Sequence, residues 1–218
     1  MDKFLLNFLF SITIAIPAII GLYRYQQIVE RYRPFIWICC LLTISELLMF
    51  VLINMHIYTF LGYNLAIPIV CFLYLLLFKR WGLFVGKKYW LPVLFAILIF
   101  IWIADHFVIH GNRLNTRTTY FRVCYSFTLV ILSVNTINRL IISEKKNLLK
   151  NSRFLICIGL VVYFTYRIIV DAFSLKGMSQ PFLMQLGDFN RYLLVGLNLI
   201  FALAALWIPA KKNYTIQF

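Results

Sequence analysis

Charged residues are scarce in this sequence, and acidic ones most of all. Of its 218 residues only 13% are charged, with 7 Asp or Glu against 21 Lys or Arg. A soluble domain of this length needs a larger charged surface, and 63% hydrophobic residues would leave much of that surface apolar. The composition, with a mean hydropathy of +0.87, therefore excludes a soluble domain and predicts an all-α, multi-pass integral membrane protein.

Sequence motifs for metals, redox chemistry and cofactors are also lacking. The five cysteines form no CxxC or Cys/His spacing and all lie in apolar segments, as small buried side chains do. No motif predicts a cofactor. Because no Gly/Ser-rich or low-complexity stretch interrupts the chain, we expect residues 1–218 to form a single polytopic membrane domain.

What the sequence does contain is a series of apolar windows of about 20 residues, each long enough to cross about 30 Å of hydrocarbon as a helix. The windows lie near 4–23, 35–56, 58–78, 90–108, 119–142, 154–173 and 189–208. They predict a bundle of seven transmembrane helices.

The basic residues predict the orientation of this bundle. Connections 23–34, 79–89 and 143–153 and the C-terminal tail hold most of them, whereas the opposite side has only four in its loops. By the positive-inside rule, the N-terminus is expected outside and the C-terminus in the cytoplasm, in a bacterial cytoplasmic (inner) membrane. Basic residues confined to short loops predict the lipid bilayer as a partner and argue against nucleic acid.

Several polar residues fall within or at the ends of the apolar windows, where an ionisable group is costly unless it faces a protein interior or a wet cavity. Arg167 and Asp171 are one helical turn apart in the sixth window. Glu46 is too deep in the second window to reach water, so it must be protonated or paired, with Arg167 as the nearest cationic candidate. We expect an outward-facing polar pocket walled by the second, fifth, sixth and seventh helices. Its candidate ligand-binding residues are Glu46, Arg122, Arg167, Asp171, Asp188, Arg191 and Asn198.

These residues favour a non-enzymatic function, the binding of a small ligand, for which the three arginines suggest an anion. The protein would then be a sensor-like, receptor-like or accessory membrane subunit that passes binding to a membrane or cytoplasmic protein partner. A first alternative is a small-solute or ion-coupled transporter in which Glu46 is the coupling carboxylate. A scaffold whose buried charges only set the helix register is also compatible with the sequence.

A further alternative is a metal-dependent membrane lipid hydrolase. His106 and His110 are spaced i,i+4, as two zinc ligands on one helix face would be, and His56 is a candidate third ligand. A zinc ion with three protein ligands and an open position would activate water for hydrolysis.

Overall fold

The computed structural model describes residues 3–55, 60–86, 89–109, 118–143, 148–176 and 178–211. Within these ranges the protein is all-helical, without a β-strand. The α-helices there are α1 (Lys3–Ser11), α2 (Ala15–Tyr23), α3 (Arg33–Asn54), α4 (Phe60–Arg80), α5 (Trp90–Ile103), α6 (Thr119–Ser143), α7 (Ser152–Leu175) and α8 (Gln180–Trp207).

The all-α class predicted from composition is therefore confirmed. Six helical segments of the described chain are long and apolar enough to cross a membrane, namely Leu6–Tyr23, Glu30–Asn54, Trp90–Ile109, Thr119–Ser143, Ser152–Leu175 and Gln185–Trp207. Helix α4 occupies the remaining predicted window. The number of spans and their orientation stay predictions.

Helix α8 begins nine residues earlier than the apolar window predicts. It starts at Gln180, with Ser179 in the N-cap position and Pro181 in the first turn. The fixed φ of proline suits a first helical turn, where its missing N–H is not needed. Asp188 therefore lies inside α8 and not at its start.

The first helical segment is interrupted in its middle. A 3₁₀ turn, Ile12–Ile14, joins α1 to α2. Pro17 lacks the N–H that would bond the Thr13 carbonyl, which weakens the helix at this point. The Thr13 hydroxyl donates to the carbonyl of Phe10 at 2.6 Å, a local bond that often accompanies a bend. The 3₁₀ turn matters because Thr13 contacts Asn198 of α8, as described below.

Helix α7 lies between α6 and α8 and packs extensively against both. A Cβ atom at Gly159 would be 2.8 Å from Cδ1 of Leu197 and 3.3 Å from Cε1 of Phe201. The glycine therefore allows α7 and α8 to approach closely, as small residues do in membrane helix pairs.

Arg24, in the basic connection that follows α2, binds the C-terminus of α8. Arg24 donates to the carbonyls of Ala205 at 2.8 Å and Ile208 at 3.0 Å, and also to that of Leu206. A cation that bonds the unpaired carbonyls at a helix C-terminus also interacts favourably with the helix dipole. The C-terminus of α8 is thereby fixed to the connection that follows α2.

Two glycine substitutions test the close approach of α7 and α8. We expect Gly159→Leu to reduce the stability of the detergent-solubilised protein by about 1–3 kcal/mol, since the added side chain would overpack the interface. Gly196→Leu is the matched control, because a Cβ at Gly196 has no neighbour within 4 Å. Thermal unfolding of both variants measures the difference, and equal midpoints would contradict this packing.

Candidate functional site

A cavity of about 130 Å³ lies within the helix bundle. Residues of α3, α6, α7 and α8 line it, and these are the helices expected to wall the pocket. The α1–α2 segment and α4 also contribute. The polar and tyrosine side chains of the lining are Ser11, Ser45, Glu46, Tyr74, Arg122, Tyr125, Ser126, Tyr163, Arg167 and Asn198.

Four of the candidate ligand-binding residues line this cavity, and each comes from a different helix. Glu46 belongs to α3, Arg122 to α6, Arg167 to α7 and Asn198 to α8. Sequence positions far apart along the chain thus converge on one space.

Asp171 holds two of these side chains in place. Its Oδ2 atom is 3.3 Å from Nη2 of Arg122 and 3.5 Å from Nε of Arg167. The Asp171 side chain is 0% exposed and those of Arg122 and Arg167 are 6% and 16% exposed. A buried carboxylate between two guanidinium groups satisfies the requirement that charge inside a bundle be paired, and it joins α6 to α7.

Arg167 keeps hydrogen-bonding capacity after this pairing. Its contact with Asp171 is made through Nε, and it forms no other ion pair or hydrogen bond with the described residues. The two terminal nitrogens of a guanidinium form a planar fork that suits a carboxylate or a phosphate. Arg167 can therefore bind an anionic group in the cavity.

Arg167 does not neutralise Glu46, contrary to the expectation from the sequence. Arg167 pairs with Asp171, while the hydroxyl of Ser11 interacts with the Glu46 carboxyl. Asp171 is on the same helix as Arg167, only one turn away, which places the two side chains on the same helix face. Glu46 makes no ion pair with any described residue.

Asn198 contributes an amide to the wall of the cavity. Its Nδ2 donates to the Thr13 hydroxyl at 2.7 Å, so the 3₁₀ turn between α1 and α2 positions this side chain. Asn198 is buried, and its Oδ1 has no hydrogen-bond partner among the described residues. A donor group of a ligand would satisfy this oxygen.

Aromatic rings form part of the remaining wall, beside aliphatic side chains such as Leu42 and Val70. The ring of Phe164 lies 6.4 Å from that of Tyr74 and 5.5 Å from that of Tyr125, both in edge-on arrangements. Edge-to-face contacts of this kind stabilise a fixed arrangement of rings. The cavity therefore combines an apolar surface with the charged groups. The sequence reasoning missed these rings, because aromatic residues are common throughout the chain and carry no signal of position.

Asp188 and Arg191 are not part of the cavity lining. They form an ion pair with each other at 2.6 Å on the side of α8, with 61% and 36% of their side chains exposed. Their i,i+3 spacing brings them together on one helix face, so they neutralise each other away from the other candidates.

Of the three histidines, only His106 lies in the described part of the chain. It is buried and stacks on Trp102, with ring centroids 5.6 Å apart. His56 and His110 fall outside the described residues, so the metal site stays a prediction. Among the residues that are described, no group of three or more His, Cys, Asp or Glu side chains could hold a metal ion.

A second buried carboxylate, Asp105, has a structural role that the sequence reasoning did not identify. Helix α5 continues as a π-helical turn, Ala104–Ile109, which contains Asp105. Its Oδ2 accepts a hydrogen bond from the backbone N–H of Phe121 at 2.9 Å. Phe121 is in the first turn of α6, where unpaired N–H groups and the helix dipole favour a negative charge. Asp105 thus fixes the start of the helix that carries Arg122.

The two Asp–Arg arrangements allow a matched test of the buried charges. We expect Asp171→Asn to cost about 3–5 kcal/mol of stability, because it removes the buried carboxylate that contacts both Arg122 and Arg167. Asp188→Asn breaks only an exposed pair and should cost less than about 1 kcal/mol. Thermal unfolding of the two purified variants measures the difference. Equal losses would show that Asp171 is not the centre of a buried ion cluster.

Comparison with protein-family models, with curated proteins and with solved structures finds no match for this chain. The cavity and its charged groups are therefore the basis for a function.

Proposed function

We propose that this chain is a multi-pass membrane protein that binds a small ligand with an anionic group in the cavity. The observation that carries the proposal is the placement of Arg167, whose terminal nitrogens make no bond with the described residues while its Nε is held by Asp171. The ligand's anionic group would accept from these nitrogens.

The charges around the cavity support an anion. Arg122 and Arg167 place two guanidinium groups at the cavity, and both contact Asp171. They lie in a desolvated region, where attraction to an anion is stronger than in water. An anion beside Arg167 would accept hydrogen bonds from its terminal nitrogens.

Other groups of the lining fit the rest of such a ligand. Glu46 and the Oδ1 atom of Asn198 accept hydrogen bonds, so they suit an amine or hydroxyl group. The rings of Tyr74, Tyr125 and Phe164 provide apolar contact for a carbon skeleton. The cavity volume limits the ligand to a small molecule.

We further propose the orientation with the N-terminus outside and the cavity open to the outer side of a bacterial cytoplasmic membrane. The excess of Lys and Arg in alternate connections supports it. In this arrangement the ligand arrives from outside, and the helices pass its binding to a membrane or cytoplasmic protein partner as a sensor or accessory subunit would.

Binding can be measured on the purified full chain with acetate, succinate, glutamate and inorganic phosphate as probes. We expect at least one of them to raise the thermal unfolding midpoint of the wild type in a concentration-dependent way. Arg167→Gln should weaken the affinity about tenfold or more, since it removes a charge-assisted hydrogen bond in a desolvated site.

Two further variants make this test specific. Ala66→Phe places a ring into the cavity from α4 and should block binding without removing a charge. Arg191→Gln removes an arginine that does not line the cavity and should bind like the wild type. If no probe stabilises the protein, or if Arg191→Gln and Arg167→Gln are equally affected, the cavity is not an anion site.

Glu46 favours a second candidate function, proton- or ion-coupled transport of the same ligand. It is a carboxylate near the middle of α3 that lines the cavity and makes no ion pair with the described residues. Coupling carboxylates in transporters lie at membrane depth in such positions, where they exchange a proton.

Uptake into sealed proteoliposomes separates transport from binding alone. If the protein is a transporter, a pH gradient should drive accumulation of the probe that binds, and Glu46→Gln should abolish the dependence on the gradient. If uptake does not exceed that of protein-free vesicles, the protein is not a transporter, and ligand binding remains the function of the cavity.

A further inference from the structure

A separate groove lies at the end of the bundle where the basic connections meet. It runs between the start of α3 and the end of α4 and has a volume of about 660 Å³. The residues that line it include three arginines, Arg31, Arg33 and Arg80, but only one carboxylate, Glu30. Its walls therefore carry an excess of two positive charges.

The single carboxylate, that of Glu30, already contacts two basic side chains. Glu30 Oε1 is 3.2 Å from Nη2 of Arg33 and 3.7 Å from Nζ of Lys211. Arg80 donates through Nη1 to the backbone carbonyl of Glu30 at 2.9 Å, which fixes its guanidinium at the groove. Arg31 makes no ion pair or hydrogen bond with the described residues. The groove thus contains three arginines and only one carboxylate to balance their charge.

The groove changes from basic to apolar along α4. Leu73, Leu76 and Arg80 all line it and are spaced i, i+3 and i+7, so they follow one another along one helix face. Trp37 of α3 lies beside them with 55% of its surface exposed. A tryptophan ring prefers the boundary between headgroups and hydrocarbon, which places the arginines at headgroup level and the leucines deeper.

We propose that this groove binds an anionic glycerophospholipid. Its phosphate would be held by Arg31, Arg33 and Arg80, and an acyl chain would follow Leu76 and Leu73 into the bilayer. Basic pockets between helices at the membrane surface bind anionic headgroups by the same combination of charge and apolar contact. A zwitterionic choline lipid fits less well, because its own ammonium group would lie among the arginines.

This proposal does not depend on the ligand of the cavity, because the two sites have separate linings. Native mass spectrometry of the delipidated full chain, with phosphatidylglycerol and phosphatidylcholine added at equal concentrations, tests it. We expect the wild type to retain one phosphatidylglycerol in preference to phosphatidylcholine. Equal retention of the two lipids would overturn the proposal.

Variants then locate the lipid. Arg31→Gln/Arg80→Gln should lose the bound phosphatidylglycerol, and Arg31→Gln alone, which breaks no ion pair or hydrogen bond with the described residues, should weaken its binding. Arg139→Gln/Lys150→Gln is the matched control, since it removes two exposed charges from outside the groove. Equal loss of lipid in the control would show diffuse attraction and no site.

A last comparison distinguishes a lipid from free phosphate. Glycerol 3-phosphate and inorganic phosphate carry the same charged group without acyl chains. We expect neither to displace phosphatidylglycerol at concentrations equal to that of the lipid. Displacement by either would show that the groove recognises phosphate alone and that the leucines and Trp37 play no part.

Discussion

The buried carboxylate of Asp171 is the constraint on which the central part of this structure depends. A charge that is removed from water is tolerated only if other charges and dipoles compensate for it. Asp171 obtains this compensation from Arg167, one turn away on the same helix, and from Arg122 on the neighbouring helix. The first contact would form in an isolated α7, but the second requires α6 at a defined rotation and depth. The ion cluster therefore specifies how α6 and α7 are aligned.

Helix α7 also contributes both to a close helix contact and to the wall of the cavity. At Gly159 the missing side chain brings α8 close, and Leu197 and Phe201, which face this glycine, also line the cavity. The close contact thus forms one boundary of the cavity. Nearer the C-terminus of α7, Tyr163 and Arg167 line the cavity. The same helix thus provides a glycine at the close contact with α8 and long side chains at the wall of the cavity.

The sequence was sufficient to predict the parts of this arrangement that depend on local spacing. Apolar windows predicted the helices, because each window is an average over about 20 residues and tolerates single polar residues. The i,i+4 spacing of Arg167 and Asp171 is also compatible with the contact that they form. The contact of Arg122 with Asp171 could not be predicted, because it depends on the rotation of α6 relative to α7. The i,i+3 spacing of Asp188 and Arg191 is also compatible with a local pair, but their position outside the cavity could not be predicted, because it depends on the rotation of α8 in the bundle.

The partners of the few acidic residues indicate which carboxylate is available to a ligand. Among the described residues, Glu30 pairs with Arg33 and Lys211, Asp188 with Arg191, and Asp171 with two arginines, while Asp105 accepts from the first turn of α6. Each of these carboxylates has a partner within the described chain, in buried contacts for Asp171 and Asp105 and in exposed pairs for Glu30 and Asp188. Glu46 differs, since only the hydroxyl of Ser11 interacts with it and its cost at membrane depth is not offset by an ion pair with the described chain. A carboxylate that the bundle does not use for its own stability is free to interact with what enters the cavity.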